Sequence, residues 1–201
     1  SGLTGYQDAT GAWAIGPRFR SASDFDHGLA IVESTGGDSA LIDTQGKVLL
    51  ESVETAIWVS LPTMTEAKVS EGLLALRAQP SGKVGFVDAS GKWVIRPRFA
   101  DAFEFHEGLA AFRMRENGPV GFVDTRGRIA IAAKFGTRFR SPPVFAEGLA
   151  AVGLNDLWPR SNLDPPGKLG YIDRRGRWVI APKYANGESF ADGRAKAWEG
   201  E

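Results

Sequence analysis

Five aspartates recur in one setting along this chain. Asp8, Asp43, Asp88, Asp124 and Asp173 each stand two residues after an aromatic or aliphatic side chain and three residues before a glycine. Carboxylates used in pairs cleave glycosidic bonds, one acting as acid and the other as nucleophile or base at a defined separation. The fixed glycine interval points elsewhere, because an Asp side chain accepts a backbone N–H two residues on and so holds a turn. His27 and His106 would need a third group beside them to bind a metal or move a proton, and both read instead as polar residues near turns. Ser81-Gly82-Lys83 lacks the upstream glycine and following hydroxyl of a phosphate loop and reads as a hairpin turn. Zinc-protease, dinucleotide, calcium-loop and serine-elbow signatures are absent, as is cysteine. The expectation is a protein that is not an enzyme, with no catalytic residues, no metal and no cofactor.

Two further charged rows accompany the aspartates. An acid precedes a second recurring glycine at Glu71, Glu107, Glu147 and Asp192, and a base recurs at Arg18, Arg98, Lys134 and Lys183. Ladders of opposite charge between repeats are one reading. A solvated edge that discourages strand-to-strand aggregation is preferred, each exposed pair contributing only ~0–1 kcal/mol.

The elements that must carry these residues are short strands. Each Asp-x-x-Gly reads as a type I turn ending in a glycine able to take positive φ, between two strands of a hairpin. After the turn come Trp13/Ile15, Val48/Leu50, Trp93/Ile95, Ile129/Ile131 and Trp178/Ile180, whose period of two predicts one shared, core-facing side of the sheet. Pro17, Pro97 and Pro182 end that strand, an aromatic follows at Phe19, Phe99, Phe135 or Tyr184, and a Gly-Leu-Ala-like run opens a third strand. Asp to Asp, the copies step by 35, 45, 36 and 49 residues. Copy two is degenerate, with Ser52 and Glu54 in the proline and aromatic places, and an extra segment over 51–68. Copy four has Ala133 for proline and a lengthened 136–144 stretch, and a second insertion covers 153–168.

The 201 residues are 43% hydrophobic and 24% charged, with 24 basic residues against 24 acidic ones. That size suits a core shared among stacked repeats. The charge balance provides no global field for nucleic acid or an anionic membrane. No apolar run reaches the length of a membrane span, and the sequence does not open with the charged and apolar regions of an export signal.

The phrase Gly85-Phe86-Val87-Asp88-Ala89-Ser90-Gly91-Lys92-Trp93-Val94-Ile95-Arg96-Pro97-Arg98-Phe99, followed by Phe105-His106-Glu107-Gly108-Leu109-Ala110, resembles the WG repeat (KWG repeat) of bacterial proteins. The resemblance runs over roughly residues 5–198, closest in copies three and five. Val84-Gly85, Val120-Gly121 and Leu169-Gly170 stand where the family has Trp-Gly. The fold expected is all-β, a five-unit repeat array of antiparallel hairpins and meanders, open and twisted in preference to a five-bladed propeller. It forms a single domain over 1–201, with units at about 5–38, 39–81, 82–117, 118–160 and 161–201.

What the resemblance implies for function is a non-catalytic binding or scaffold module, and for some members immunity to a secreted toxin. The expectation is therefore a protein-binding module of the immunity type that sterically blocks a bacterial toxin or secretion-system effector. A cell-wall or carbohydrate-binding module is the alternative, and a β hydrolase a distant third. The partner expected is another protein, with no nucleic acid and no membrane insertion. The periplasm or cell envelope is the expected compartment, with the cytoplasm as alternative. Insertions in a regular array fall on loops, and loops carry recognition. The residues expected to contact the partner are therefore Trp158, Arg160, Arg138, Arg140 and Trp58, since a loop tryptophan beside arginine is a typical anchor.

Overall fold

The structure, a computed structural model, describes residues 2–55, 68–136, 142–154 and 168–199. Every regular element among them is a β-strand, and the pairings are antiparallel. The chain divides into two units, Ser1–Arg98 and Phe99–Glu201.

In the second unit one sheet carries the strands Asp101–His106, Leu109–Arg113, Val120–Asp124, Ile129–Gly136, Leu149–Leu154, Leu169–Asp173 and Trp178–Tyr184 side by side in that order, with Phe145–Ala146 paired to Leu149–Leu154. Hydrogen bonding passes without a break through the repeats, and the two outermost strands are not paired with each other. In the first unit the same meander is divided among a hairpin (Thr4–Gln7 with Trp13–Phe19), a four-stranded sheet from Ser21–Ala22 to Val48–Glu51, and a five-stranded sheet ending at Trp93–Phe99. The fold is the expected open all-β array of meanders, and neither unit closes into a propeller.

The turns at Asp-x-x-Gly and at Gly-Leu-Ala differ in kind. At each Asp-x-x-Gly turn the glycine N–H donates to the aspartate carbonyl, as from Gly127 to Asp124 at 2.9 Å. Gly127 itself has φ +82°. At each Gly-Leu-Ala turn two consecutive residues take positive φ, for example Glu147 (52°) and Gly148 (76°). That is the two-residue type I′ hairpin, whose twist matches the flanking strands. His27, Glu71, Glu107 and Asp192 occupy the position of Glu147.

Cross-strand pairing corrects one expectation. Val123 faces Ile129 and Phe122 faces Ile131, so one step on the first strand matches two on the second. The same bulge occurs at Ile42/Val48 with Leu41/Leu50 and at Ile172/Trp178 with Tyr171/Ile180. Adjacent residues of a strand point to opposite faces. The tryptophan position and the isoleucine position therefore lie on opposite sides of the sheet, and the period of two fails because the bulge adds a residue between them.

The consequence is a stack of layers with apolar side chains on both faces. Ile42, Ala30 and Val32 face Ile15 and Phe19 of the first hairpin. From the other side of the same sheet, Leu29, Ile31 and Leu41 meet Leu74, Leu76 and Val87, with Trp93 packed alongside. In the second unit Phe122, Ile131 and Phe135 of repeat four share a core with Ile172 of repeat five, and Trp178 packs against them. Ile15, Leu50 and Ile131 thus look toward the following repeat, and Trp93 and Trp178 toward the preceding one.

A second bulge explains the glycine of the family's Trp-Gly pair. Val120 pairs with Phe135 and Phe122 with Ile131, so Gly121 alone faces the arch 132–134. A Cβ on Gly121 would lie 2.6 Å from Ile131 O and 2.7 Å from Ala133 N; on Gly85, 2.5 Å from Ile95 O and 2.7 Å from Pro97 N. Copy two has Ala40 here, and there the register is regular, Ala40 opposite Glu51 and Leu41 opposite Leu50. Its irregularity falls one residue later at Ser52, with φ +55°. This carries Val53 inward, where it is buried in place of the missing aromatic. The residues at the family's tryptophan position, Val84, Val120 and Leu169, are buried core side chains.

Candidate binding surface

The five turn aspartates are committed to the backbone. Each Oδ1 accepts from the N–H two and four residues on: Thr10 and Ala12 for Asp8, Gln45 and Lys47 for Asp43, Ser90 and Lys92 for Asp88, Arg126 and Arg128 for Asp124, Arg175 and Arg177 for Asp173. These bonds favour the charged form. The Thr10 hydroxyl first, then the backbone donors, holds Asp8 below the usual carboxylate range, and Ser90 does the same for Asp88. For Asp173 the largest contribution is the Arg177 N–H. Partial burial pushes Asp124 upward, but bonds from Arg128 and Arg126 outweigh it. A carboxylate so held is a poor proton donor near neutral pH.

The histidines sit apart in role. His27 occupies the first position of a type I′ turn, with Nδ1 2.7 Å from Asp26 Oδ1. His106 ends a strand one place earlier in its repeat, 3.8 Å from Glu104. Among the described residues no group of three His, Cys, Asp or Glu side chains is placed to hold a metal. Arg113 and Asp101 form a buried pair on adjacent strands at 3.7 Å.

The second acidic row does more than solvate an edge. Glu107 Oε2 accepts the Gly148 N–H of the next repeat's type I′ turn at 2.9 Å, and Glu147 Oε2 accepts that of Gly193 at 2.9 Å. The positive φ of the acid and the exposed N–H of the following glycine put donor and acceptor on successive turns in one line. The base row also reaches forward. Arg18 donates to Gly46 O of the next Asp turn at 2.7 Å, while Lys134 and Lys183 lie over the rings of Phe135 and Tyr184. Glu107, Glu147 and Arg18 therefore bind turn backbone of the next repeat and the two lysines cover rings, so these residues do more than line the expected solvated edge.

In an A-B-C-D meander the Asp turns and the type I′ turns fall at the same end of the strands. Arg174 of one Asp turn accordingly donates to Glu107 O of a type I′ turn at 2.6 Å. The connections after Glu51, Gly136 and Leu154, where the insertions begin, leave from the other end. Trp158, Arg160, Arg138, Arg140 and Trp58 lie outside the described residues.

What the described surface does present is one large apolar side chain per repeat, in the first two strand residues after the Asp turn. Trp13, Val48, Val94, Ile129 and Val179 are between 44% and 58% exposed. In repeats four and five these stand beside arginines. Arg128 and Arg177 pair with their own turn aspartates at 2.7 and 2.9 Å, and Arg126 and Arg175 are exposed at the turn tips. The repeat-five turn packs on the repeat-four strand, because Gly176 lies so close to Ile131 that a Cβ there would meet its Cγ2 at 2.8 Å. Turn spacing and the shared Arg-Gly-Arg pattern were visible in the sequence. The packing of turn on strand was not.

Segments 5–37, 85–117 and 170–197 match the model of the WG containing repeat, so the chain carries at least three repeats of that family. The unmatched copies are the one with Ala40 and Ser52 and the one with Ala133 and the 136–144 insertion. Among solved structures, the chain is similar to the computationally designed Ika4 protein, with TM-score 0.40 and 11% identity over 85% of this chain and 94% of that one. A protein of unknown function from Bacteroides caccae shows TM-score 0.32 and 14% identity over 80% of this chain, which spans 59% of that one. Comparison with curated proteins finds no match.

Proposed function

We propose that this chain is a non-enzymatic protein-binding module, most concretely an immunity-type inhibitor that sterically blocks a bacterial toxin or secreted effector in the periplasm or cell envelope. The observation that carries the reading is a division of labour among the recurring residues. Acids that could do chemistry are taken up by turn and inter-repeat bonds, while each repeat leaves an apolar side chain in solvent and the last two add arginines around it. Exposed apolar side chains beside arginine suit an interface, where arginine is enriched and other charges are depleted. Electroneutrality overall with a local basic cluster favours an acidic face on the partner.

The test is affinity capture from the native cell, followed by titration of the captured protein and an assay of its activity. Val179→Asp combined with Arg175→Glu should weaken that partner by tenfold or more without lowering the unfolding midpoint. Trp158→Ala combined with Arg160→Ala asks the same of the insertion. A partner bound equally by both variants, or one whose activity survives saturation, would refute this function. One observation favours the carbohydrate alternative, the exposure of Trp13. Unchanged tryptophan fluorescence on adding peptidoglycan fragments would dispose of it.

A further inference from the structure

The layered packing within the units leaves the outer face of repeat one and the outer face of repeat five without a neighbouring repeat among the described residues. At the junction of repeats four and five, Trp178 packs edge-on against Phe135 with ring centroids 5.5 Å apart. The Glu147 carboxylate closes the same junction on the Gly193 N–H. Repeat one presents the tryptophan side of that junction outward: Trp13 is 53% exposed, and its cross-strand partner is Gln7. Repeat five presents the other side. Ile180 and Tyr184 are only half-buried, whereas Ile15, Ile95, Ile131, Phe19, Phe99 and Phe135, their counterparts, are buried. Neither the Asp192 carboxylate, in the place of Glu147, nor the Gly28 N–H, in the place of Gly193, has a hydrogen-bond partner among the described residues.

We infer that the repeat-one face of one molecule docks on the repeat-five face of a second copy, reproducing the junction within the chain. Trp13 takes the place of Trp178 against Tyr184 and Ile180, and Asp192 accepts the Gly28 N–H across the contact. The interface is heterologous, so association extends into chains or closes into rings rather than stopping at a symmetric pair. Gln7 stands where internal repeats have a buried aliphatic residue, Ile42, Val123 or Ile172. The contact is therefore weaker than an internal junction and depends on concentration.

Sedimentation velocity of the full chain from micromolar to submillimolar concentration tests this. The weight-average mass should rise with concentration above the 21.6 kDa of one chain. Trp13→Glu blocks one face and Ile180→Glu the other, and each variant alone should stay monomeric at concentrations where the parent associates. An equimolar mixture of the two should form heterodimers, since one good face of each kind remains. Asp192→Asn, which leaves the apolar contact intact, should shift association to higher concentration while the fold is retained by circular dichroism. A parent that stays monomeric throughout would overturn the inference. So would blocked variants that associate like the parent, or a mixture that stays monomeric.

Discussion

Replacing Gly121 by alanine adds one methyl group where the bulged neighbouring strand arches over the glycine. The added Cβ would stand 2.6 Å from Ile131 O, 2.7 Å from Ala133 N and 2.8 Å from the Phe112 ring, where real Cβ atoms essentially never come within 3.0 Å. Two of the three neighbours are backbone, so relief requires moving a strand and not a rotamer. Overpacking of this kind costs about 1–3 kcal/mol. For a chain of this length melting as one body, a loss of ~2 kcal/mol lowers the midpoint by ~4–8 °C. Ala40→Gly makes the reciprocal change in copy two, where the register has no arch. It should cost only about 0.5–1 kcal/mol, from added chain entropy and a lost core contact. Paired thermal and urea melts of Gly121→Ala and Ala40→Gly against the parent decide the matter. If Gly121→Ala is indistinguishable from the parent, or Ala40→Gly is the more damaging of the two, the bulge account of the family glycine is wrong.

Three further outcomes are expected. Glu147→Ala removes the acceptor for the Gly193 N–H and should lower stability by about 0.5–1.5 kcal/mol in urea melts, with Glu147→Gln retaining part of it. Because Asp8, Asp88, Asp124 and Asp173 are held below their ordinary range, the stability they contribute is complete above the unfolded value of about 3.9. It is lost as pH falls through the lower folded values. Melting midpoints should therefore drop below about pH 4, and a drop already complete at higher pH would show that other groups control acid unfolding. Burial, with Asp24 nearby, pushes the Tyr6 phenol up to about 12, and its hydroxyl donates to Ser23 O at 2.8 Å. In an alkaline absorbance titration Tyr6 should ionise late, and stability should be lost between about 10 and that value, since the unfolded chain ionises first. Phenylalanine at position 6 should shrink the late step, leaving the part due to Tyr171, whose phenol is also pushed up by burial.

The repeat phrase determined the fold class, the strand order and both turn positions. These are local decisions: an Asp-x-x-Gly closes its own hairpin through bonds spanning two and four residues, as Asp124 does with Arg126 and Arg128. The family's glycine was legible as a letter, but its reason was not, because the atoms that exclude a side chain at Gly121 belong to residues nine and more positions away. The bulge likewise escaped a reading by period, since an inserted residue changes facing without changing composition. Trp178 and Trp13 look alike in sequence, yet one is packed against Phe135 and the other stands in solvent.

The sequence alone therefore determined which residues turn and which repeat, while the strands it ended at Pro17, Pro97 and Pro182 run on to Phe19, Phe99 and Tyr184. The tertiary structure alone decided which of five equivalent residues is covered, and that Glu107 and Glu147 bond to the next repeat's backbone. The physical reason is range: turn and strand propensities are properties of a few neighbouring residues. Burial and junction bonds depend on what the following forty residues place alongside.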